Sequence, residues 1–345
     1  MPDIRDLSLA EIQAFIKEMG LPAFRAKQIY AWLWQKSAHT FEEMSDLPIS
    51  LRMALTEKFD FNSIHTHQSR YSADGTIKSV FRLHDGYIIE GVMIPTDTRA
   101  TACVSSQVGC SLSCKFCATG YMGRKRNLTA YEIYDQIVLI NRQSQVAIGR
   151  DLSNIVFMGM GEPLLNYKSV LAAIQHITSP DGLGWSAKRI TVSTAGIAKM
   201  IYKLADDGVK FNLALSLHAA DDQKRNTIMP INEHNNLKVL VESLNYFYSK
   251  TKNKITFEYI LLKGVNDTIQ DANNLIKLTR KVPAKVNIIE YNPIAEAEFK
   301  KSTASDTEAF LHLLEKNNII AKVRRSRGKD IDAACGQLAN KIEKP

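Results

Sequence analysis

Thr101-Ala-Cys-Val-Ser-Ser-Gln107 runs directly into Val108-Gly-Cys-Ser-Leu-Ser-Cys-Lys-Phe-Cys117, a strand-like stretch followed by a loop crowded with cysteine. Cys110, Cys114 and Cys117 stand in a Cys-x3-Cys-x2-Cys spacing. Five cysteines scattered over 345 residues would give this spacing in roughly one chain in a thousand, so chance explains it poorly. Cysteine thiolates hold cluster iron, and four of them would close a four-iron cluster. Three on one short loop leave one iron open. The competing structural reading is zinc held by three Cys and a His, although the paired Cys-x2–4-Cys knuckles common at such sites are absent.

Working outward, strand and helix patterns alternate from about residue 100. The candidate strands are 101–107, 154–158, 189–193, 211–217, 255–262 and 286–291, each followed by a helical stretch. Thr129-Ala-Tyr-Glu132 reads as the capping box of the first helix, and 305–317 as the last helix. Six such units imply a parallel sheet with helices outside, and right-handed crossovers curl it into an open, partial (β/α)6 barrel of the TIM type. A flat doubly wound sheet is the alternative; no Gly-x-Gly-x-x-Gly fingerprint supports it. A further strand over 319–324 could extend the sheet.

Upstream, residues 1–70 read as helices. Ser8-Leu-Ala-Glu11 is a second capping box, and Phe24-Arg-Ala-Lys-Gln-Ile-Tyr-Ala-Trp-Leu-Trp34 has helical spacing with many aromatics. This part reads as a small core with a basic edge at Arg25 and Lys27, or more sharply as an RNA-binding accessory domain. Residues 77–83 and 87–94 flank Asp85-Gly86 as a β-hairpin within a 71–99 linker. Taken alone, Glu90 in its second arm reads as solvent-facing. The main domain is 100–330, and 331–345 forms a C-terminal loop and tail.

Hydrophobic residues make up 45% and charged residues 23%, as in ordinary globular proteins. No run of about 18 apolar residues suggests a membrane helix, and Met1-Pro-Asp-Ile-Arg5 opens no signal core. These features lead us to expect a cytoplasmic protein, where grouped cysteines mean metal or catalysis. The net charge of +8 permits a polyanionic partner without demanding one.

Barrel sites form at the C-terminal ends of strands. The cysteine run follows the first strand, Gly159-Met-Gly-Glu-Pro-Leu-Leu-Asn166 the second, and Ser193-Thr-Ala-Gly196 the third. Ser216-Leu-His218 ends the fourth, and Asn292-Pro293 follows the sixth. Each could be ordinary loop chemistry; together on one rim they point to a ligand site. Two cysteines remain. Cys103 sits on the first strand. Cys335 follows Arg324, Arg325, Arg327 and Lys329, and nearby cations favour a thiolate.

The cysteine triad with Phe116 before its last member, the Gly-Glu-Pro loop and the six βα units resemble the radical S-adenosylmethionine (SAM) enzymes. Phe24–Ile29, Cys110–Tyr121, Gly159–Asn166, Ser216–Ala219, Glu290–Pro293 and Ala334–Leu338 carry the resemblance further, to the RNA methyltransferases among them that act on adenine C2 in 23S rRNA and tRNA. It covers almost the whole chain. It implies a [4Fe–4S] cluster on Cys110, Cys114 and Cys117, and SAM held by Gly161, Glu162, Ser193, Ser216, Leu217, His218 and Asn292. It also implies two SAM per turnover. One methylates Cys335. The other yields a 5′-deoxyadenosyl radical that converts the methyl group into a carbon radical able to attack C2. Glu90 would take the C2 proton, and Cys103 would form a disulfide with Cys335 to release the product. Arg124-Lys-Arg126 and the basic run 322–329 would meet RNA phosphates. An electron donor such as flavodoxin or its reductase, a monomeric state and no membrane contact complete the expectation. The alternatives are adenine-C8 methylation by the same scheme, another radical SAM activity that leaves Cys103 and Cys335 without a task, and a zinc-stabilised RNA-binding protein without catalysis.

Overall fold

The computed structural model describes residues 1–340; positions 341–345 of the C-terminal loop and tail lie outside the described residues. The N-terminal part holds three helices, α1 (Leu9–Glu18), α2 (Phe24–Trp34) and α3 (Ile49–Lys58). Ser8 and Glu11 form the expected capping box of α1. The helical reading of 1–70 stops short at Lys58: His65–Tyr71 is a strand, β1. Its sequence, His-Thr-His-Gln-Ser-Arg-Tyr, lacks apolar alternation because it is an exposed edge strand.

The strands continue as β2 (Ile77–Arg82), β3 (Ile88–Pro95), β4 (Ala100–Cys103), β5 (Gln107–Val108), β6 (Arg126–Asn127) and β7 (Asn154–Phe157). They end with β8 (Ile190–Thr194), β9 (Asn212–Ser216), β10 (Ile255–Leu261), β11 (Ala284–Glu290) and β12 (Ala321–Arg324). The stretch expected as one strand over 101–107 is divided between β4 and β5. Beyond Cys103 the chain leaves the sheet, and β5 pairs with β6 in a separate two-stranded ribbon that carries the cysteine loop between its arms.

The large sheet has the order β1-β2-β3-β4-β7-β8-β9-β10-β11-β12. From β4 to β12 the neighbours are parallel, so the six expected barrel strands are joined by a seventh, β12. The connecting helices are α4 (Ala118–Tyr121), α5 (Ala130–Ile148), α6 (Tyr167–Thr178), α7 (Ala198–Asp206), α8 (Asp222–Ile228), α9 (Leu237–Thr251), α10 (Ile269–Thr279) and α11 (Ala304–Lys316). Central strands buried on both faces read as largely apolar runs, and all seven residues of β10 are buried. The architecture is the open partial barrel that the sequence predicts. The hairpin β2–β3 is not a detached connection: β3 pairs antiparallel with β4 and extends the barrel sheet.

The N-terminal helices share one hydrophobic core with the barrel. Arg5 is buried and bonds both Asp3 and Asp135 of α5. Trp34 stacks on His176 of α6 with ring centroids 3.5 Å apart.

The sheet stays open between β12 and β1, and the segment after β12 returns across toward the hairpin. Ser72 Oγ and Ala73 N–H donate to the Asp330 carboxylate (2.6 and 3.1 Å). Gly328 N–H donates to Asp74 (3.0 Å), and Lys78 Nζ to the carbonyl of Asp332 (3.2 Å). Gly328 has φ +63°, and a Cβ there would fall 2.9 Å from Thr76 Cγ2. This strap carries Cys335.

Candidate active site

Two cavities meet at Cys335. The larger, about 920 Å³ including its mouth, is lined by Cys110, Cys114 and Cys117 together with Gly161, Glu162, Ser193, Ser216 and His218. The smaller, about 500 Å³, is lined by Cys103, Arg325 and Leu338 among others; Ile289, Arg324 and Cys335 belong to both. The barrel rim thus gathers most of the residues expected from the sequence. Leu217 and Asn292 stand behind the wall. Leu217 is buried, and Asn292 Nδ2 donates to the carbonyls of Cys335 (3.3 Å) and Glu290 (3.4 Å).

The cysteine loop can take a cluster. Burial pushes the Cys110 thiol up to about 11 and raises those of Cys114 and Cys117; the Cys117 sulfur adds to the shifts of Cys110 and Cys114, and Cys335 to that of Cys117. Thiols so disfavoured as free anions ionise when a metal compensates the charge. Among the described residues no three His, Cys, Asp or Glu side chains are placed to share a single metal ion. The triad instead frames a common cavity, as separate irons of one cluster require. Gly120 lies under the loop, where a Cβ would meet the Cys114 carbonyl at 2.9 Å.

Glu162, in the same cavity as the triad, is buried and already organised. Its carboxylate accepts from Ala195 N–H (2.7 Å) and Leu164 N–H (3.0 Å), and burial raises it to about 7. Gly161 makes the approach possible: its φ is +96°, and a Cβ would sit 2.5 Å from Gln107 Cβ. Gln107 Oε1 accepts from Glu162 N–H at 2.8 Å, which ties the loop to β5. A buried carboxylate at a cavity wall suits an ammonium group. Ser193 and Ser216 touch each other through their hydroxyls (3.3 Å). His218 Nδ1 accepts from Ile260 N–H (3.1 Å), burial drives its pKa down to about 3, and its ring meets Phe116 edge-on at 4.6 Å. His218 is therefore neutral, with Nε2–H as the donor.

Glu90 is 1% exposed, which corrects the solvent-facing reading. It lines neither cavity. Oε2 accepts from Ala339 N–H of the strap (3.0 Å), and Oε1 lies 3.5 Å from Lys78 Nζ without a hydrogen bond. Burial pushes the Cys103 thiol up to about 12, and the nearby Cys335 sulfur adds to the shift. Arg324 is held above its usual range chiefly by Cys335.

The basic clusters divide. Arg126 is committed to Asp85 and Glu132, Lys329 to Glu290, and Arg324 to the interior. Arg124, Lys125, Arg325 and Arg327 remain exposed.

Two interior residues escaped the sequence reading. Arg225 is fully buried and bonds the carbonyls of Ala195, Ser216 and Leu217, stapling the ends of β8 and β9. In Asp-Asp-Gln-Lys-Arg225 nothing distinguishes it from a surface helix residue. Glu258, 3% exposed, lines the large cavity. Here a signal existed: a lone Glu in the apolar run of β10 must face inward on one side of the sheet.

Residues 104–276 match the radical SAM superfamily, and residues 2–60 match the ribosomal RNA large subunit methyltransferase N-terminal domain. With the barrel and its three-cysteine rim, the class is that of a radical SAM enzyme, which carries a [4Fe–4S] cluster and uses SAM. The structure superposes on the crystal structure of a radical SAM methyltransferase from Sphaerobacter thermophilus with a TM-score of 0.92 and 39% identity, covering 98% of this chain and 99% of that one. The sequence is 58% identical to the probable dual-specificity RNA methyltransferase RlmN of Cytophaga hutchinsonii, over 98% of this chain and 93% of that protein. It is 43% identical to the dual-specificity RNA methyltransferase RlmN of Anaeromyxobacter sp. (strain Fw109-5), over 98% and 90%. The chain belongs to the RlmN family of dual-specificity RNA methyltransferases.

Proposed function

We propose that this enzyme methylates C2 of adenine in 23S rRNA and tRNA, with Cys335 as the methyl carrier. The observation that carries the reading is the position of Cys335 where the cavity of the cysteine triad meets the cavity of Cys103. The electron-poor C2–H of adenine is no nucleophile, so polar methyl transfer to it fails. Cys110, Cys114 and Cys117 would hold a [4Fe–4S] cluster, which would supply the one-electron chemistry that turns SAM into the source of a carbon radical.

The protein does the rest. Glu162 and Gly161 hold the methionine end of SAM, and Ser193, Ser216, Leu217, His218 and Asn292 complete its surroundings. The Cys335 sulfur, beside the Arg324 guanidinium, takes one methyl by displacement and carries it to the base. Once the methylene carbon on Cys335 has bonded to C2, a covalent protein–RNA adduct exists. Glu90, whose buried Oε1 accepts no hydrogen bond and lies 3.5 Å from Lys78 Nζ, would take the C2 proton as the adduct radical gives up its unpaired electron, which the cluster would accept. The Cys103 thiolate then attacks the Cys335 sulfur; the S–C bond breaks, a disulfide forms, and the electron pair stays on the methylene carbon of the base, which takes a proton to become the methyl group. A thiol reductant restores both cysteines.

Exposed Arg124, Lys125, Arg325 and Arg327 flank the site and suit RNA phosphates, with the N-terminal helices α1–α3 gripping folded RNA. The target base leaves its stack to reach the cavity. We read the enzyme as a monomer. A flavodoxin-type donor provides the electron, and the cytoplasm provides both RNA substrates and reduced thiols. No helix among the described residues is long and apolar enough to cross a membrane.

The test is nucleoside mass spectrometry after incubating the reconstituted enzyme with tRNA or 23S rRNA fragments, SAM and reductant. The expected product is 2-methyladenosine. Formation of 8-methyladenosine would overturn the C2 assignment.

A further inference from the structure

Inside the barrel a polar row crosses adjacent strands in register. Ser216 of β9 pairs with Glu258 of β10, Glu258 with Asn287 of β11, and Asn287 with Lys322 of β12. The Asn287 amide fixes the carboxylate by donating to Glu258 Oε1 (2.8 Å). Glu258 Oε2 is buried and accepts nothing; Arg324 Nη1 stands 3.9 Å away, beyond hydrogen-bonding distance. Arg324 thus offers Oε2 an ion pair but no hydrogen bond, and a buried carboxylate oxygen without a hydrogen bond is destabilising. Its residue lines the cavity shared by the cysteine triad, Ser193 and Ser216, so a ligand there can supply the missing donor.

We propose that Glu258 is a cofactor-binding residue whose Oε2 accepts a hydrogen bond from a ribose hydroxyl of SAM. The donors of SAM are its ammonium, two ribose hydroxyls and the adenine amino group. The ammonium belongs at the Glu162 end, on the loop after β7. Glu258 lies next to Ser216 and two strands from Ser193, whose hydroxyls pair with each other and mark a hydroxyl-sized polar subsite. It also lies between that subsite and Arg324, which borders Cys335. This inference rests on the proposed SAM site.

The test compares equilibrium binding of SAM and of its 2′-deoxy and 3′-deoxy analogues, without reductant, to cluster-loaded wild type, Glu258→Gln and Asn287→Ala. In wild type one deoxy analogue should bind ~10–100-fold more weakly than SAM. In Glu258→Gln, SAM itself should weaken by a similar factor, and the preference for that hydroxyl should fall to within about twofold. Asn287→Ala, which leaves the carboxylate present but unanchored, should fall between. Cluster absorbance and melting temperature identify a misfolded variant, for which Asn287→Ala provides the independent comparison. Unchanged discrimination in both variants overturns the assignment. So does loss of RNA binding with SAM binding intact, which would place the target base at Glu258. Methylation of RNA by wild type is unaffected by either outcome, so failure here is distinguishable from failure of the proposed function.

Discussion

Cys103 and Cys335 line the same small cavity, yet they are held in opposite ways. Cys103 ends β4 with neighbours on both sides, Val92 of β3 and Val156 of β7. It is sealed, and its thiol is pushed up to about 12. Cys335 sits outside regular strands and helices, on a strap tied by hydrogen bonds to the hairpin, to Asn292 and to the cysteine loop. There Ala118 N–H donates to the Gly336 carbonyl (2.8 Å) and Thr119 Oγ1 to the Leu338 carbonyl (2.6 Å). The contrast suits a sulfur that carries a group and a sulfur that ends the reaction. The carrier needs side-chain tethers that can adjust between cofactor and base. The resolving thiol needs a fixed position and protection from premature oxidation, which a high pKa supplies.

The comparison breaks most sharply at the carrier. Cys335→Ala should lower RNA methylation by at least ~10³-fold while leaving cluster absorbance intact, measured by nucleoside mass spectrometry beside visible spectra. Cys103→Ala should still load and transfer, then stall with RNA bound to Cys335; denaturing gels should show the crosslink, and normal turnover would contradict the division of labour. Glu90→Gln should slow product release by ~10²–10⁴-fold, with cluster and SAM binding unchanged. Because the free Cys103 thiol lies near 12, its thiolate fraction is small at neutral pH and grows about tenfold per pH unit. Single-turnover release should therefore accelerate from pH 7 to 9. The smallest effect is at the tether: Asp330→Ala removes the bonds to Ser72 and Ala73, each worth about 1 kcal/mol, and should slow methyl transfer several-fold without changing SAM affinity.

The rigid half of this comparison was the legible half. The barrel strands announce themselves because strands buried on both faces must be apolar, and the cysteine spacing is too specific to be accidental. Thr129 and Glu132 place the start of α5 correctly because capping is local chemistry. The strap was opaque: Asp330 meets Ser72 across 258 residues, and Gly328 meets Asp74 across 254, pairings that no local pattern encodes. Glu90 misled as a hairpin residue for the same reason, since its partner Ala339 lies 249 residues away. Strand β1 was missed because an edge strand exposed to solvent needs no apolar face. Arg225 was invisible because its burial depends on carbonyls turned inward at the ends of two strands.

The account turns on Cys335 as a methyl carrier, and peptide mass spectrometry of the purified native protein tests this most directly. A fraction of the Cys335 peptide bearing one added methyl on sulfur is the predicted result. Cys335 wholly unmodified, in protein with an intact cluster and ample SAM, would contradict the mechanism while leaving the barrel and its cluster loop standing.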